Sequence, residues 1–388
     1  MTWLIYLILG AIGALTPLAI DMYVPAMPDI AKDLAANTGA VQLSLTAYGA
    51  GFSIGQLFHG PVSDSYGRRP VLILGVFFFA ISALLSATVH SIDTLNLLRV
   101  VQGFAGAAAA VVIQAVIRDM FEREEFARVM SFITLVMTIA PLVAPMLGGH
   151  LAMWLGWRSI FWVLAAYAVI VVVTVYFKIP ETLKTENRPP LRFKTTLANY
   201  GKLVRNPVAV GLMLSSAFSF AGMFAFFTAG SFVYIRIFGV SPNEFAYLYG
   251  LNVIGLILLT MSNGRLVKRL GLHFMLRFGL SLQLIAGIGL LTGWILNWGL
   301  WGTVPFVVLY IGTISMIGSN SMALLLSSYH SMAGTAASLS GTLRFGMGAI
   351  IGAVVAALPG LAIWPMVCVM AGCSILSISL YWIFGKQA

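Results

Sequence analysis

The sequence predicts an all-α integral membrane protein with twelve transmembrane helices in two pseudo-symmetric halves of six. Of the 388 residues, 60% are hydrophobic and only 9% charged. Mean hydropathy is +0.96. A soluble domain carries about a quarter charged residues, so this chain lacks the polar surface to stay in water. Apolar runs long enough to span a bilayer recur along its whole length. The 39 glycines with so little charge suit closely packed helices better than a β-barrel, whose strands alternate polar and apolar residues.

In chain order the first six spans lie near 3–27, 40–60, 70–90, 94–117, 128–153 and 157–179. The other six lie near 207–237, 243–262, 272–296, 300–326, 333–358 and 361–384. The first run lacks a charged leader and an A-x-A cleavage site, so it reads as a retained span and not a signal peptide. Pro17, Pro25 and Pro28 predict an interruption or bend near its end. The only long polar stretch, 180–206, divides the chain into an amino-terminal half (1–179) and a carboxy-terminal half (207–388). Pro141 and Pro145 should bend the fifth span. Gly51 with Gly55, and Gly348 with Gly352, place small residues four apart on one helix face, which suits close crossings.

Basic residues set the orientation. With both termini in the cytoplasm, 17 of the 22 Lys and Arg residues fall on the cytoplasmic side, Arg68, Arg69, Arg118, Arg192 and Lys268 among them. Lys32, Arg158 and Arg236 fall outside, and Arg99 and Arg344 lie within spans. This is the positive-inside pattern. The net charge of +10 thus reads as a topology device and a contact for anionic membrane lipids, not as a nucleic-acid footprint. Cys368 and Cys373, five apart on one helix, diverge and read as packing residues. The five histidines lie scattered near span ends without metal-ligand spacing, and no phosphate-binding Gly-x-x-x-x-Gly-Lys-Ser/Thr loop occurs. No metal, cofactor or enzymatic activity is expected, and ATP is not the expected energy source.

The halves echo each other. Gly60-Pro-Val-Ser-Asp64-Ser-Tyr-Gly67-Arg68-Arg69 follows the second span, and Gly264-Arg265-Leu-Val-Lys268-Arg269-Leu-Gly271 follows the eighth, 204 residues later. Duplicated halves predict such a second copy of a short turn. Here a family resemblance becomes specific. The loop after the second span resembles the signature of the major facilitator superfamily. Leu98-Arg99-Val-Val-Gln102-Gly103 resembles its fourth-helix motif. Ala140-Pro141-Leu-Val-Ala144-Pro145-Met-Leu-Gly148-Gly149 resembles the fifth-helix motif of drug:proton antiporters, with Ala144 where a glycine usually precedes the proline. Ile20-Asp21-Met22-Tyr23-Val24-Pro25, Arg118-Asp119-Met-Phe, Phe218–Phe224, His330-Ser-Met-Ala-Gly-Thr and Arg344-Phe345-Gly346 are similar to the Bcr/CflA subfamily of bicyclomycin and chloramphenicol resistance exporters. The resemblance implies a central cavity, alternating access and export driven by inward proton flow.

Asp21 is the acid to explain. Of the twelve acids only Asp21 falls inside a span, and beyond residue 206 the only acid is Glu244. A carboxylate in a membrane helix is costly and reads as a functional site by default. Set against this, Asp21 lies 18 residues beyond Trp3, about 27 Å along a helix, near the far surface. The resemblance places it in the cavity. Arg99 lies at similar depth on the fourth span and has two readings, a charge partner of Asp21 or a structural arginine that ties helices through backbone carbonyls. Arg344, near mid-bilayer on the eleventh span, gives the cavity a net positive charge that favours neutral or anionic solutes over lipophilic cations.

The substrate-binding candidates are Asp21, Tyr23, Tyr48, Phe220, Phe224, Phe227, Asn252 and Arg344. The gating candidates are Gly60, Asp64, Gly67, Arg68 and Arg69, with Pro141, Pro145, Gly148 and Gly149 on the fifth span. Asp64 is expected to face the positive end of a helix and hold the cytoplasmic side shut. The reading is a proton-coupled multidrug antiporter of the bacterial cytoplasmic membrane, a monomer whose partners are drugs, protons and membrane lipids and not nucleic acid. The alternative is an exporter or symporter of a small metabolite, such as an amino acid or peptide (cysteine-type), on the same fold.

Overall fold

The computed structural model describes residues 2–188, 190, 193–329, 332–358 and 362–386. Arg192 and His330 lie outside the described residues, as does the side chain of Arg123. The helices are α1 (Thr2–Asp21), α2 (Met27–Asp33), α3 (Thr38–Tyr66), α4 (Arg68–Ser86), α5 (Ile92–Met120), α6 (Arg123–Leu155) and α7 (Arg158–Lys178). They continue with α8 (Phe193–Val204), α9 (Pro207–Phe232), α10 (Pro242–Leu270), α11 (Leu272–Ile295), α12 (Gly299–Ser328), α13 (Ala333–Ala357) and α14 (Trp364–Leu380). No strand occurs among the described residues.

Eleven stretches among the described residues are long and apolar enough to cross a membrane, the first being α1 and α2 together. The twelfth long helix is α3. It is more polar because Gln42, Ser44, Thr46, Ser53, His59 and Ser63 turn inward, and all six are buried. Leu43, Ile54 and Phe58 on the same helix are exposed. All twelve expected spans are therefore helices, with boundaries that differ in instructive ways. The first continues to Asp33, past a break after Asp21.

The turn expected after the second span is mostly helix. Gly60 and Asp64 belong to the last turns of α3, and Gly67 alone separates α3 from α4. Its φ of 105° lies where L-residues are strained. Gly271, 204 positions later, breaks α10 from α11 in the same way with φ 82°. The polar centre of the chain is not all loop either. Tyr200 and Leu203, three apart on α8, pack into the apolar core around Leu212, Leu276 and Ile317.

The chain forms two compact units, Met1–Ala35 with Ala47–Thr195, and Ala36–Thr46 with Thr196–Ala388. In the first, α1 packs on α6, while α4 packs on α5 and α7. The glycine spacing on α3 has its expected result. A methyl group at Gly51 would strike the backbone of Val100, and one at Gly55 the carbonyl of Phe104. Gly103 on α5 reciprocates against the carbonyl of Tyr48, so the two backbones touch. In the second unit, α9 packs on α13 and α14, and α12 on α10 and α11. Two helices there start with clear caps. Asn206 accepts from the backbone N–H groups of Val208 and Ala209, and Ser241 forms a capping box with Glu244.

Candidate functional site

The first unit builds a site around the end of α1. Pro17 lies inside α1, and Pro25 and Pro28 sit in the first positions of a 3-10 turn (Val24–Ala26) and of α2. These prolines lack the N–H groups needed to continue one helix, so the chain breaks after Asp21. The break is buried within the protein. Asp21 is 4% exposed, and Met22, Tyr23 and Val24 are covered almost completely. Gly148 makes this possible from the other side, because any side chain there would collide with the carbonyl of Met22. Gly149, Ala144 and Pro145 are buried beside it on α6, which stays helical across both of its prolines.

Helix α1 leaves its last four carbonyls without intrahelical donors. Arg99 of α5 supplies one. It is fully buried and donates from Nη2 to the Ala19 carbonyl at 3.1 Å, and from Nη1 to Gln102 Oε1 at 2.7 Å. Its guanidinium lies 4.7 Å from the Tyr23 ring centre, 4.6 Å from Tyr48 and 5.9 Å from Phe161. Tyr48 in turn donates to Thr16 Oγ1 of α1 at 3.3 Å. A cation at a helix C-terminus is favoured by the helix dipole, and each ring face adds about 0.5–2 kcal/mol. Arg99 ties the end of α1 to α5 through the Ala19 carbonyl, two residues before Asp21 in the chain.

In the second unit, Arg344 of α13 lies over the Phe220 ring of α9, 4.7 Å from its centre. Phe220 contacts Phe224 at 5.6 Å and Phe345 at 5.0 Å, and Phe224 contacts Phe227 at 5.8 Å. Gly348 lets α13 close onto Phe224, and Gly318 of α12 faces the guanidinium. Arg344 Nε is buried with no hydrogen-bond partner among the described residues. Asn252 of α10 is 3% exposed. Glu244, the only acid of this half, is engaged by the side chain and backbone of Ser241.

The gating candidates meet at the Gly67 end of the first unit. Asp64 pairs with Arg68 one turn later. Arg68 also donates to Ser63 Oγ at 2.9 Å and to Asp119 Oδ2 at 3.4 Å. Thr182 holds the same Asp119 oxygen at 3.2 Å. Glu181 caps α4, accepting from the backbone N–H groups of Arg68 at 3.0 Å and Arg69 at 3.3 Å. Arg69 donates to the Tyr176 carbonyl and lies over its ring. Gly60 has open space, its nearest neighbour being a Val111 methyl.

Residues 9–353 match the Major Facilitator Superfamily. A bicyclomycin resistance protein homolog from Haemophilus influenzae is 40% identical over 98% of this chain and 96% of its own. The chain belongs to the Major Facilitator Superfamily. A chloramphenicol resistance protein from Pseudomonas aeruginosa is 30% identical over 93% of this chain and 86% of its own. The Bcr/CflA resemblance of the motifs therefore holds. Among solved structures, a nucleoside transporter, NupG, superposes with a TM-score of 0.79 at 15% identity, covering 98% of this chain and 99% of its own. A D-xylose–proton symporter superposes with 0.75 at 16%, covering 99% and 98%. At such identities the likeness concerns the fold alone. Membership makes this superfamily chain a multi-pass membrane transporter of small molecules and not an enzyme.

Three of the neighbours that hold this site together were missed as site residues in the sequence. Gln102 carried a signal, since it lies one helical turn from Arg99. Phe161 and Glu181 carried none, because only tertiary packing brings them in. Gly67 and Gly271 give a comparison within one superfamily chain. Alanine at Gly67 must adopt a φ of 105° and also collide with Glu181 Oε2. Alanine at Gly271 meets only the backbone strain, with nothing within 4 Å. Strain of this kind costs about 1–3 kcal/mol. Gly67→Ala is expected to lower the melting temperature in detergent by several degrees more than Gly271→Ala, and equal shifts would refute the packing role of Glu181.

Proposed function

We propose that this chain is a proton-coupled drug exporter of the bacterial cytoplasmic membrane, with both termini in the cytoplasm and acting as a monomer. Its cargo would be neutral or weakly charged antibiotics of the bicyclomycin or chloramphenicol kind, the classes that its relatives are named for. The observation that carries this reading is Asp21, the one buried acid among the described residues. It sits at a helix break, where a change of charge acts directly on how α1 ends. A proton arriving there would favour one orientation of the transporter, and substrate would compete for the deprotonated form. Arg99 would keep the break in register through both states. In the first unit Tyr23 and Tyr48, and in the second Phe220, Phe224, Phe227 and Asn252, are the proposed contacts of a neutral solute.

Proteoliposomes test the coupling and its direction. With drug outside, antiport predicts uptake that is faster when the vesicle interior is acid. Symport predicts acceleration when the exterior is acid. Uptake indifferent to either gradient would sink the proposal. A susceptibility panel in an efflux-deficient host separates drugs from amino acids or peptides as cargo.

Arg344 sets the expected charge preference, because the only acid of this half, Glu244, is engaged by Ser241. Arg344→Ala should export cationic dyes better and neutral drugs worse, each by about tenfold, the equivalent of 1.4 kcal/mol. A variant that changes neither would remove Arg344 from the binding site.

A further inference from the structure

Between α4, α7 and the segment after α7, the first unit holds a groove of about 510 Å³. Arg69, Pro70, Ile73, Leu74 and Tyr176 line it, with Glu181 and Arg188 at its head. The polarity is graded. Both arginines lie at one end, and the wall beyond them is apolar. Pro70, Leu74 and Phe77 then follow one another up α4 at intervals of about one turn. Leu74 is 55% exposed and Phe77 47% exposed, so this strip belongs to the lipid-facing surface.

Charge at the head is only partly compensated. Glu181 spends both oxygens on backbone N–H groups, those of Arg68, Arg69 and Leu183. Arg188 donates to the Leu183 carbonyl and lies 3.5 Å from Glu181. Arg69 has a buried Nε with no acceptor among the described residues. Two guanidinium groups thus face one committed carboxylate. A small soluble anion would use the head and leave the walls bare, whereas a neutral lipid would use the walls and leave Arg69 unsatisfied.

We propose that the groove binds one anionic phospholipid, with its phosphate at Arg69 and Arg188 and an acyl chain along Ile73, Leu74 and Phe77. This site is separate from drug and proton, and stands whether or not the export reading does. An arginine near an anionic headgroup contributes about 1 kcal/mol, or about fivefold in affinity.

Native mass spectrometry of the full-length protein, released from detergent with graded phosphatidylglycerol, phosphatidylcholine or inorganic phosphate, tests it. One phosphatidylglycerol should be retained in preference to phosphatidylcholine. Arg69→Gln with Arg188→Gln should erase that preference, and Leu74→Trp, which fills the groove without touching a charge, should weaken retention of the lipid itself. If the arginine variant does not fold, Leu74→Trp alone decides. Equal retention of the two lipids by the unaltered protein would overturn the proposal. So would unchanged retention in Leu74→Trp, or displacement of the lipid by inorganic phosphate.

Discussion

Replacing Asp21 with asparagine is expected to abolish the response of transport to a pH gradient while leaving the protein folded in the membrane. The substitution keeps the shape, replaces one acceptor oxygen with a donor amide as in the protonated acid, and removes the ability to ionise. At 4% exposure the carboxylate has almost no access to bulk water. A charged group at such a site costs about 2.5–3.5 kcal/mol on insertion scales, so the neutral variant should melt no lower than the unaltered protein. Gradient-stimulated and unstimulated uptake should then coincide in Asp21→Asn, with facilitated exchange of drug surviving. Asp21→Glu retains the ionisable group and should keep part of the stimulation. A fully coupled Asp21→Asn would require another acid. Among the described residues every other acid is at least partly exposed, so none is an evident substitute.

The same residue illustrates what a sequence makes legible. The acid census picked out Asp21 because an apolar run tolerates few carboxylates, and that is a property of composition alone. Its depth was open, since rise per residue assumes one straight helix. Three prolines break that assumption, and the span runs on to Asp33 after a change of course. The repeat of glycines at 67 and 271 was also legible as a pattern. What it does was not, because the expected turn is mostly helix with a single glycine as the break. Arg99 shows the other limit. Burial and depth followed from its position in a span, but its partners come from α1, α3 and α7, and a carbonyl acceptor leaves no mark in a sequence. The groove beside α4 was legible only as a surplus of positive charge.

Arg99→Lys is expected to lower transport by about tenfold, comparable with 1.4 kcal/mol, although the charge is kept. The guanidinium uses two different nitrogens for Gln102 and Ala19 while lying against the rings of Tyr23 and Tyr48. A lysine offers its donors from a single point and has no plane to stack. It can satisfy the Ala19 carbonyl or the Gln102 oxygen, and the other is left buried without a donor at a cost of about 1–3 kcal/mol. Arg99→Leu leaves both unsatisfied and should melt lower still. The two variants separate anchoring from coupling. If Arg99 acts by holding the end of α1, the residual uptake of Arg99→Lys should still respond to a pH gradient, whereas that of Asp21→Asn should not. An Arg99→Lys protein that matches the unaltered one in both rate and melting temperature would show that the charge suffices and that the anchored geometry is incidental.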